Sequence, residues 1–388
     1  MKEINKPVFI TEPLLPDINR LNLEIQEIFE HKWVTNHGVK HNFFEKKLEQ
    51  VLKVSNVSVF NNGTIGLLTA LKALNLPADS EVITTPFTFP ATPHCISWNG
   101  LKPVFCDVEP NTMTLDADKI EEQITPDTSA ILPVHVYGFP CDIKKIDNIA
   151  KKHDLKVIYD GAHAFSTEID GKGIGTFGDI TVFSFHATKL FNTLEGGCLT
   201  YDNNGLKEKI YNLRNFGIKN EEEVVDIGIN GKMNEIQASI GLLNLKLFKK
   251  EQNKRLKIKK LYIEQLKDVK NIKIPEMPKN TTDSYQYFPI VIEEEFPITR
   301  DMMYENFKKY KIFTRKYFYP ICSDYEPYKK LESSSKINLP IANDIKNKIL
   351  CLPYYGSLND DIVIQISNLI KEFSKSSSVC NRKEENLY

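Results

Sequence analysis

The chain has 388 residues, and 50 Lys and Arg residues against 51 Asp and Glu residues give it a formal net charge of -1. This length exceeds what one hydrophobic core usually organises, so we expect a large α/β unit with a smaller unit attached. The balanced charge supplies no overall field that would attract nucleic acid or an anionic membrane surface, so neither is an expected partner and anionic ligands are left to a local site.

The cysteines and the apolar segments bear on the cellular compartment. The seven cysteines include no Cys-x-x-Cys pair, and a chain of this length does not need disulfides to fold. The first residues lack the apolar core of a signal peptide, and no stretch approaches the roughly 20 apolar residues of a membrane span. We therefore expect a cytoplasmic protein. The histidines and cysteines show no metal-ligand spacing, so no metal site is expected.

Short apolar runs alternate with helix-like stretches over residues 56–205, which is the pattern of a sheet flanked by helices. The predicted strands are Val57–Phe60, Glu81–Thr84, Ala130–Val136, Lys156–Asp160, Ile180–Phe185 and Gly197–Tyr201. Thr64–Leu74 is apolar on nearly every side and predicts a buried helix, whereas Ile143–His153 is amphipathic and predicts a surface helix. The predicted fold class is therefore α/β.

The sequence changes character near residue 245, where Lys246–Lys260 carries eight basic residues. Leu245, Phe248 and Tyr262 are spaced as one apolar face of a long helix, which favours a solvated connecting helix over a nucleic-acid patch. The predicted division is a large domain with its N-terminal segment at residues 1–245, a smaller C-terminal domain at 246–373 and a disordered tail at 374–388.

Two segments that follow predicted strands are candidates for ligand contacts. The tripeptide Asn62-Gly63-Thr64 precedes the buried helix, so its backbone N–H groups and the Thr64 hydroxyl would lie at a helix N-terminus, where phosphate binds. An ordinary N-cap with a glycine turn explains the tripeptide equally well. Phe89 follows the second strand and offers a face on which a planar ring can stack, although core packing is the commoner role of phenylalanine.

Asp160 ends an apolar strand and opens the segment Asp-Gly-Ala-His, which closes with His163. An acid at this position could fix a protonated ring nitrogen, and His163 could contact the same ring. Taken alone, Asp160 is also typical of a strand-to-helix cap.

Lys189 follows the fifth predicted strand and has Phe185 and Phe191 as apolar neighbours, which would lower the pKa of its amine and make it able to attack an aldehyde. Most lysines are simply solvated, so Lys189 alone is a weak signal. Lys189 and Asp160 together predict pyridoxal phosphate (PLP), an electron-sink cofactor whose ring nitrogen must stay protonated. Ser184 is a second candidate donor to its phosphate.

The segment Gly173–Gly178 matches the Gly-x-Gly-x-x-Gly pattern of dinucleotide-binding proteins. That pattern functions where it follows a strand and opens a helix, whereas here it precedes a strand and predicts a hairpin-like turn. A nicotinamide-dependent oxidoreductase is therefore a disfavoured alternative.

The phosphate turn, the aromatic loop, Asp-x-x-His and the lysine occur in this order, and by these motifs the sequence resembles the DegT/DnrJ/EryC1/StrS family of nucleotide-sugar aminotransferases. The resemblance covers nearly the whole chain. It implies the type I aminotransferase fold, with a large mixed, mostly parallel sheet flanked by helices plus a smaller α+β C-terminal domain. It also implies a homodimer with shared active sites.

The resemblance assigns a role to each candidate residue. Lys189 would form the Schiff base with PLP, Asp160 would bind the ring nitrogen, and His163 would contact the ring face or its phenolic oxygen. Phe89 would stack on the ring, Gly63, Thr64 and Ser184 would bind the phosphate, and Asn230 would reach the phosphate of the neighbouring subunit.

Two positions depart from the family pattern. Asn62 stands where serine is common, and Lys232 replaces the usual arginine of the segment Gly228–Gln237. The change at Asn62 leaves the role of Thr64 intact. Because lysine lacks the bidentate fork of arginine, we assign no substrate contact to Lys232.

The resemblance also bears on the reaction. Some members carry histidine at the lysine position and dehydrate the sugar, so Lys189 favours transamination. The segments Tyr159–Phe165 and His186–Gly197 are similar to enzymes that aminate dTDP-4-keto-6-deoxy-D-glucose at C4 to give dTDP-4-amino-4,6-dideoxy-D-glucose, a sugar of surface polysaccharide such as O-antigen. Amination at C3, or of a UDP- or GDP-linked keto sugar, is an alternative.

The expected cycle has two halves. L-Glutamate would displace Lys189 from PLP and leave as 2-oxoglutarate, and the pyridoxamine phosphate form would then pass its nitrogen to the keto sugar, with Lys189 as acid and base in both halves. The segment Lys32–Asn36 and the aromatic stretch Tyr317–Pro320 resemble family regions that line the sugar-nucleotide site. A non-catalytic regulator of the same fold is the alternative from a different functional class.

Overall fold

The computed structural model describes residues 6–375. Residues 376–388 of the predicted tail, and residues 1–5 of the predicted large domain, lie outside the described part. Within residues 6–375, none of the helices combines the length and the apolar character needed to cross a bilayer.

The strands of the described residues form one large sheet, one small sheet and a short hairpin. In chain order they are β1 (Asn56–Phe60), β2 (Glu81–Thr84), β3 (Lys102–Phe105), β4 (Thr128–Leu132), β5 (Lys156–Asp160), β6 (Glu168–Ile169), β7 (Lys172–Gly173), β8 (Ile180–Ser184), β9 (Gly197–Tyr201), β10 (Ile272–Lys273), β11 (Phe288–Ile292) and β12 (Ile349–Leu352).

The helices of the described residues cover the sheets and connect them. In chain order they are α1 (Ile18–His31), α2 (Val39–Leu52), α3 (Gly63–Ala73), α4 (Ala91–Trp98), α5 (Ile143–His153), α6 (Asn204–Leu213), α7 (Glu235–Leu266), α8 (Arg300–Lys309), α9 (Pro340–Lys348) and α10 (Asp360–Phe373).

The large sheet has seven strands in the order β1-β9-β8-β5-β4-β2-β3. The pairs β8–β5, β5–β4, β4–β2 and β2–β3 are parallel, while β9 is antiparallel to both of its neighbours. The predicted large mixed, mostly parallel sheet is therefore confirmed. Because parallel strands share a direction, the loops after β1, β2, β4, β5 and β8 emerge at the same edge of this sheet, where ligands of open α/β sheets bind.

Helix α3 shows why the segment after β1 becomes a buried helix. Leu67 and Leu71 are buried against strand residues such as Val182 in one apolar cluster. Helix α5 is amphipathic as predicted, with Ile146 and Ala150 buried. With helices on both faces, the central strands β5 and β8 are buried along nearly their whole length, as expected for a sheet of this kind.

Three predicted strands, β2, β5 and β9, begin and end at the predicted residues. The prediction of a strand at Ala130–Val136 was wrong at both ends. Regular pairing covers Thr128–Leu132, because Pro133 has no N–H to donate to the ladder and Val136–Gly138 form a tight 3-10 turn. Strand β3 was not predicted; it is short and begins with an exposed lysine.

The small sheet, β10-β11-β12, is antiparallel and packs with α8 and α10 into a separate apolar cluster. Helix α7 joins the two parts of the molecule. Its residues Ala238 and Phe248 pack in the cluster on the large sheet, whereas Ile258 and Tyr262 pack in the cluster of the small sheet. The division predicted at residue 245 falls inside this continuous helix and stays a prediction.

Candidate active site

A cavity of about 550 Å³ opens at the carboxyl edge of the large sheet, within the size range of small-molecule sites. Its walls come from the loops after β1, β2, β5 and β8 and from two segments of the C-terminal part. The lining residues are Asn62, Gly63, Thr64, Ile65, Leu67, Thr88, Phe89, Ala91, Val134, Asp160, Ala162, His163, Val182, Ser184, His186, Thr188, Lys189, Glu195, Tyr287, Tyr317 and Phe318.

Lys189 lies in the loop that follows β8, and its side chain borders the cavity. The loop is tightly turned, since the backbone N–H of Lys189 donates to the carbonyl of His186 at 2.8 Å. The residue is partly buried in the wall of the cavity. Burial lowers the pKa of Lys189 to about 8, although the charge of Asp160 opposes the shift. Near neutral pH the amine is therefore available both with and without its proton.

Asp160 ends β5 with its carboxylate buried beneath the cavity. The Thr92 hydroxyl donates to Oδ2 at 2.8 Å and the Ala162 N–H donates to Oδ1 at 3.0 Å. Burial raises the pKa of Asp160, while these hydrogen bonds and the charge of Lys189 act in the opposite direction. A cation placed against this carboxylate would be favoured, because it would neutralise a charge that the protein has removed from water.

His163 is buried beside Asp160 and takes one defined tautomer. The Tyr137 N–H donates to His163 Nδ1 at 3.1 Å, which places the ring proton on Nε2. Burial lowers the pKa of His163 well below its ordinary value, and the nearby Lys189 charge adds to this effect. The ring lies parallel to that of Phe318 with centroids 6.0 Å apart, and Tyr287 meets it edge-on at 5.0 Å. His163 is thus a neutral ring fixed in orientation.

The N-terminus of α3 and the end of β8 meet at one end of the cavity. A Cβ atom on Gly63 would lie 3.1 Å from Cβ and 3.3 Å from Oγ of Ser184, so glycine allows this approach. The Asn62 side chain caps the helix by accepting from the Ile65 N–H at 2.8 Å. The first N–H groups of a helix have no partner within it. Those of Gly63 and Thr64 can therefore bind an anion beside the hydroxyls of Thr64 and Ser184.

The structure brings seven of the eight predicted residues to one cavity and leaves Asn230 elsewhere. Phe89 lines the cavity and is 59% exposed. Asn230 lies at the surface in the segment between α6 and α7, outside the set of described residues that line this chain's cavity; its carbonyl accepts from the Asn61 side chain at 3.3 Å. The ligand roles of all eight residues stay predictions.

Sequence reasoning assigned no role to three residues of the site. Thr92, which orients Asp160, lies in the first turn of α4 and belongs to no motif. Tyr287 and Phe318 come from the C-terminal part, far along the chain from the other site residues, and line the cavity because the two parts pack together. Phe318 belongs to the aromatic stretch predicted near the substrate site, whereas Tyr287 follows no motif that could have indicated it.

A lysine amine of lowered pKa, a buried carboxylate and a helix N-terminus meet at the carboxyl edge of a mixed α/β sheet. Residues 17–371 match the model of the DegT/DnrJ/EryC1/StrS aminotransferase family, and the chain belongs to this family. It is therefore an aminotransferase, as predicted.

Two curated relatives are similar over nearly their full length. The dTDP-4-amino-4,6-dideoxy-D-glucose transaminase of Shigella dysenteriae is 43% identical over 95% of this chain and 100% of its own. The enzyme of the same name from Escherichia coli is 44% identical over 94% of this chain and 98% of its own.

The fold is similar to that of a solved structure over nearly the whole chain. DesI, determined in the presence of its TDP-sugar product, superposes with a TM-score of 0.91 at 31% identity and covers 97% of this chain and 95% of its own. The predicted type I aminotransferase fold is confirmed.

Proposed function

We propose that this aminotransferase binds PLP through Lys189 and transfers an amino group from L-glutamate to a nucleotide-linked keto-6-deoxyhexose. The proposed substrate is dTDP-4-keto-6-deoxy-D-glucose, and the proposed product is dTDP-4-amino-4,6-dideoxy-D-glucose. The observation that carries the proposal is that Lys189 and the buried Asp160 border one cavity whose far end is a helix N-terminus. The names of the two curated relatives support the choice of sugar.

The residues of the cavity fit PLP on three counts. The enclosed carboxylate of Asp160 suits a protonated ring nitrogen, the amine of Lys189 suits an aldehyde, and the N-terminus of α3 at Gly63 and Thr64, next to Ser184, suits a phosphate. When bound, PLP supplies an electron sink for the charge left when a proton is removed next to an amino nitrogen.

With PLP bound, Asp160, Lys189 and His163 would have different roles. Asp160, oriented by Thr92 and Ala162, would hold the proton on the ring nitrogen. Lys189 Nζ, with a pKa near 8, would accept a proton as the free amine and return it as the ammonium ion, as a general base and acid of matched pKa does. His163 would bind the ring without adding charge, since its imidazole is neutral.

We further propose a homodimer. Apolar side chains of the N-terminal part stand at least half exposed, which marks an interface on a folded protein; they are Ile18, Leu23, Phe29, Trp33, Val39 and Phe43. Asn230 is also exposed and lies apart from its own cavity, as expected of a residue that serves the partner. The cytoplasm, where sugar nucleotides for O-antigen and related polysaccharides are made, is the proposed location.

The absorbance of the purified full-length protein with PLP tests the proposal. L-Glutamate should remove the band of the cofactor bound to Lys189, and dTDP-4-keto-6-deoxy-D-glucose should restore it. A band that glutamate leaves unchanged would contradict the amino donor. A band restored only by a 3-keto sugar, or by a UDP- or GDP-linked sugar, would contradict the substrate.

A variant pair adds a control to this measurement. Lys189→Ala should abolish the band and lower turnover by more than about 100-fold, because it removes the general acid and base. Lys151→Ala, which changes an exposed lysine of α5 paired with Asp147, should retain wild-type activity.

A further inference from the structure

Gln286 makes a two-point contact with the backbone on either side of Lys189. The Leu190 N–H donates to Gln286 Oε1 at 2.8 Å, and Gln286 Nε2 donates to the Thr188 carbonyl at 3.1 Å. A carboxamide has one acceptor and one donor side, so the side chain pairs with this backbone as another peptide group would. The contact spans the residue that carries the amine.

The amide is enclosed, which makes the contact strong and specific. Gln286 is 4% exposed, and the Leu190 N–H that it accepts from is buried as well. A buried peptide group that loses its partner costs more free energy than the hydrogen bond itself contributes. Few alternative arrangements are therefore accessible to residues 186–190, which carry Lys189 and are called the lysine loop below. The backbone at Thr188 and Leu190 is thereby fixed to the C-terminal part of the molecule.

Residues 285–287, which include Gln286, also face the amine of Lys189. Tyr287, the next residue, lines the cavity, and the centroid of its ring lies 5.9 Å from Lys189 Nζ. The segment itself is anchored to α7, because Arg255 donates to the Tyr285 carbonyl at 3.2 Å. One rigid segment therefore fixes the backbone of the lysine and supplies a wall that encloses its side chain.

We propose that Gln286 is a positioning residue for Lys189: its carboxamide holds the lysine loop from both sides, so that the amine stays enclosed against Tyr287 in the cavity. Gln286 acts through the backbone and touches neither substrate nor cofactor in this role. The inference deepens the proposed function, in which Lys189 is the reacting group, but the geometry on which it rests is independent of which sugar is bound.

The test follows the reactivity of Lys189 in the full-length protein without added PLP. Trace acetylation with acetic anhydride, analysed by peptide mass spectrometry across a pH series, gives the half-titration pH of Lys189, with exposed Lys151 as the internal reference. In Gln286→Met the amine should become less enclosed, and its half-titration pH should rise by about one unit or more.

Gln252→Met is the matched control. Gln252 is a buried glutamine of α7 whose amide donates to the Ser166 hydroxyl at 3.0 Å, so its loss removes a comparable hydrogen bond without touching the lysine loop. Its Lys189 profile should match the wild type. A Gln286→Met profile that also matches the wild type would overturn the proposal.

Gln286→Asn keeps the amide but shortens the side chain by one methylene, so it covers the case in which the methionine variant does not fold. A two-point contact requires the full reach, and Gln286→Asn should therefore also raise the half-titration pH of Lys189. A wild-type profile in the asparagine variant would contradict the two-point contact.

Turnover with PLP, L-glutamate and the sugar gives an independent readout. Both Gln286 variants should lower kcat by about 10-fold and leave the KM for glutamate nearly unchanged, since a misplaced acid and base affects the chemical step. If the wild type shows no turnover, the proposed function fails while the acetylation profiles still decide the role of Gln286.

Discussion

Lys189 is held where its positive charge is disfavoured. The protonated amine therefore lowers the free energy of unfolding of the chain. Its pKa is about 8 in the folded chain against an ordinary 10.5, so the unfolded state binds more protons between these two pH values. The stability of the wild type without PLP should therefore rise with pH across this window, and the cost is fully present below pH 8.

Lys189→Met should remove this cost. At pH 7 the variant without PLP should be more stable than the wild type by about 1–3 kcal/mol, measured by urea unfolding. The difference should shrink as the pH rises from 8 and vanish above 10.5, where the lysine is neutral in both states. A gain that is independent of pH would show that improved packing, and not the charge, explains it.

The charge of Asp160 raises the pKa of Lys189 and so opposes the lowering that burial causes. Asp160→Asn should move the acetylation profile of Lys189 to lower pH in the chain without PLP. It should also lower turnover by about 100-fold or more, since a neutral amide does not hold a proton on a ring nitrogen. Asp147→Asn, at an exposed carboxylate of α5, is the control and should change neither quantity.

At the level of single residues, most of the site could be predicted because its parts are local. Asp160 and Ser184 end strands, Gly63 and Lys189 follow strands within a few residues, and parallel strands bring such positions to one edge. The partners that tune them could not be predicted in this way. Gln286 contacts the lysine loop across 96 and 98 residues of sequence, and spacing along the chain does not encode such a contact.

Among the elements, α2 begins in an unusual way that yields a further prediction. Its N-cap, Gly38, has no side chain to cap the helix, and the Glu235 carboxylate from the start of α7 accepts from the N–H groups of Lys40 at 2.9 Å and His41 at 2.8 Å. A Cβ on Gly38 would collide with the Glu235 carboxylate, so the glycine makes room for it. Glu235 therefore ties α2 to α7.

Glu235→Ala should lower the free energy of unfolding by about 1–2 kcal/mol, as the loss of an N-terminal cap does. Chemical unfolding followed by circular dichroism measures the change. Glu264→Ala, which removes an exposed carboxylate near the other end of α7, should cost less than about 0.5 kcal/mol. Equal losses in the two variants would contradict the capping role.

The elements that could be predicted are those whose pattern is uniform. Strands β5 and β9 are short, almost continuously buried runs, helix α5 carries one helical period, and the predicted bounds of all three hold. Strand β4 was placed too far along because the apolar run continues past Pro133, where the loss of an N–H donor ends the regular ladder. The end of a strand depends on its hydrogen bonds, which an apolar run does not reveal.

For the whole molecule, the C-terminal part does more than cover the cavity. Tyr287 and Phe318 supply a wall of the cavity, and α7 crosses from one apolar cluster to the other without interruption. The domain division near residue 245 stays a prediction, since that residue lies inside the continuous helix α7. The sequence break there does not show that both parts build one site, because that follows from packing between distant segments.

The proposed dimer leads to the last prediction, which concerns shared active sites. In a two-fold dimer each site would combine Lys189 of one protomer with Asn230 of its partner. Lys189→Ala destroys the site of its own chain, and Asn230→Asp places a carboxylate against the phosphate in the site of the other chain. Each variant alone should therefore have little activity at low PLP concentration.

Mixing the two variants distinguishes shared from separate sites. After subunit exchange at equal amounts, half of the dimers are mixed, and each mixed dimer holds one site with both residues intact, so activity should recover to about a quarter of the wild-type value. Mixing Lys189→Ala with Lys189→Met is the matched control and should restore nothing, because every site then lacks its lysine. If the mixture of the Lys189 and Asn230 variants stays as inactive as this control while size-exclusion chromatography shows a dimer, Asn230 serves its own protomer and the shared-site arrangement is wrong.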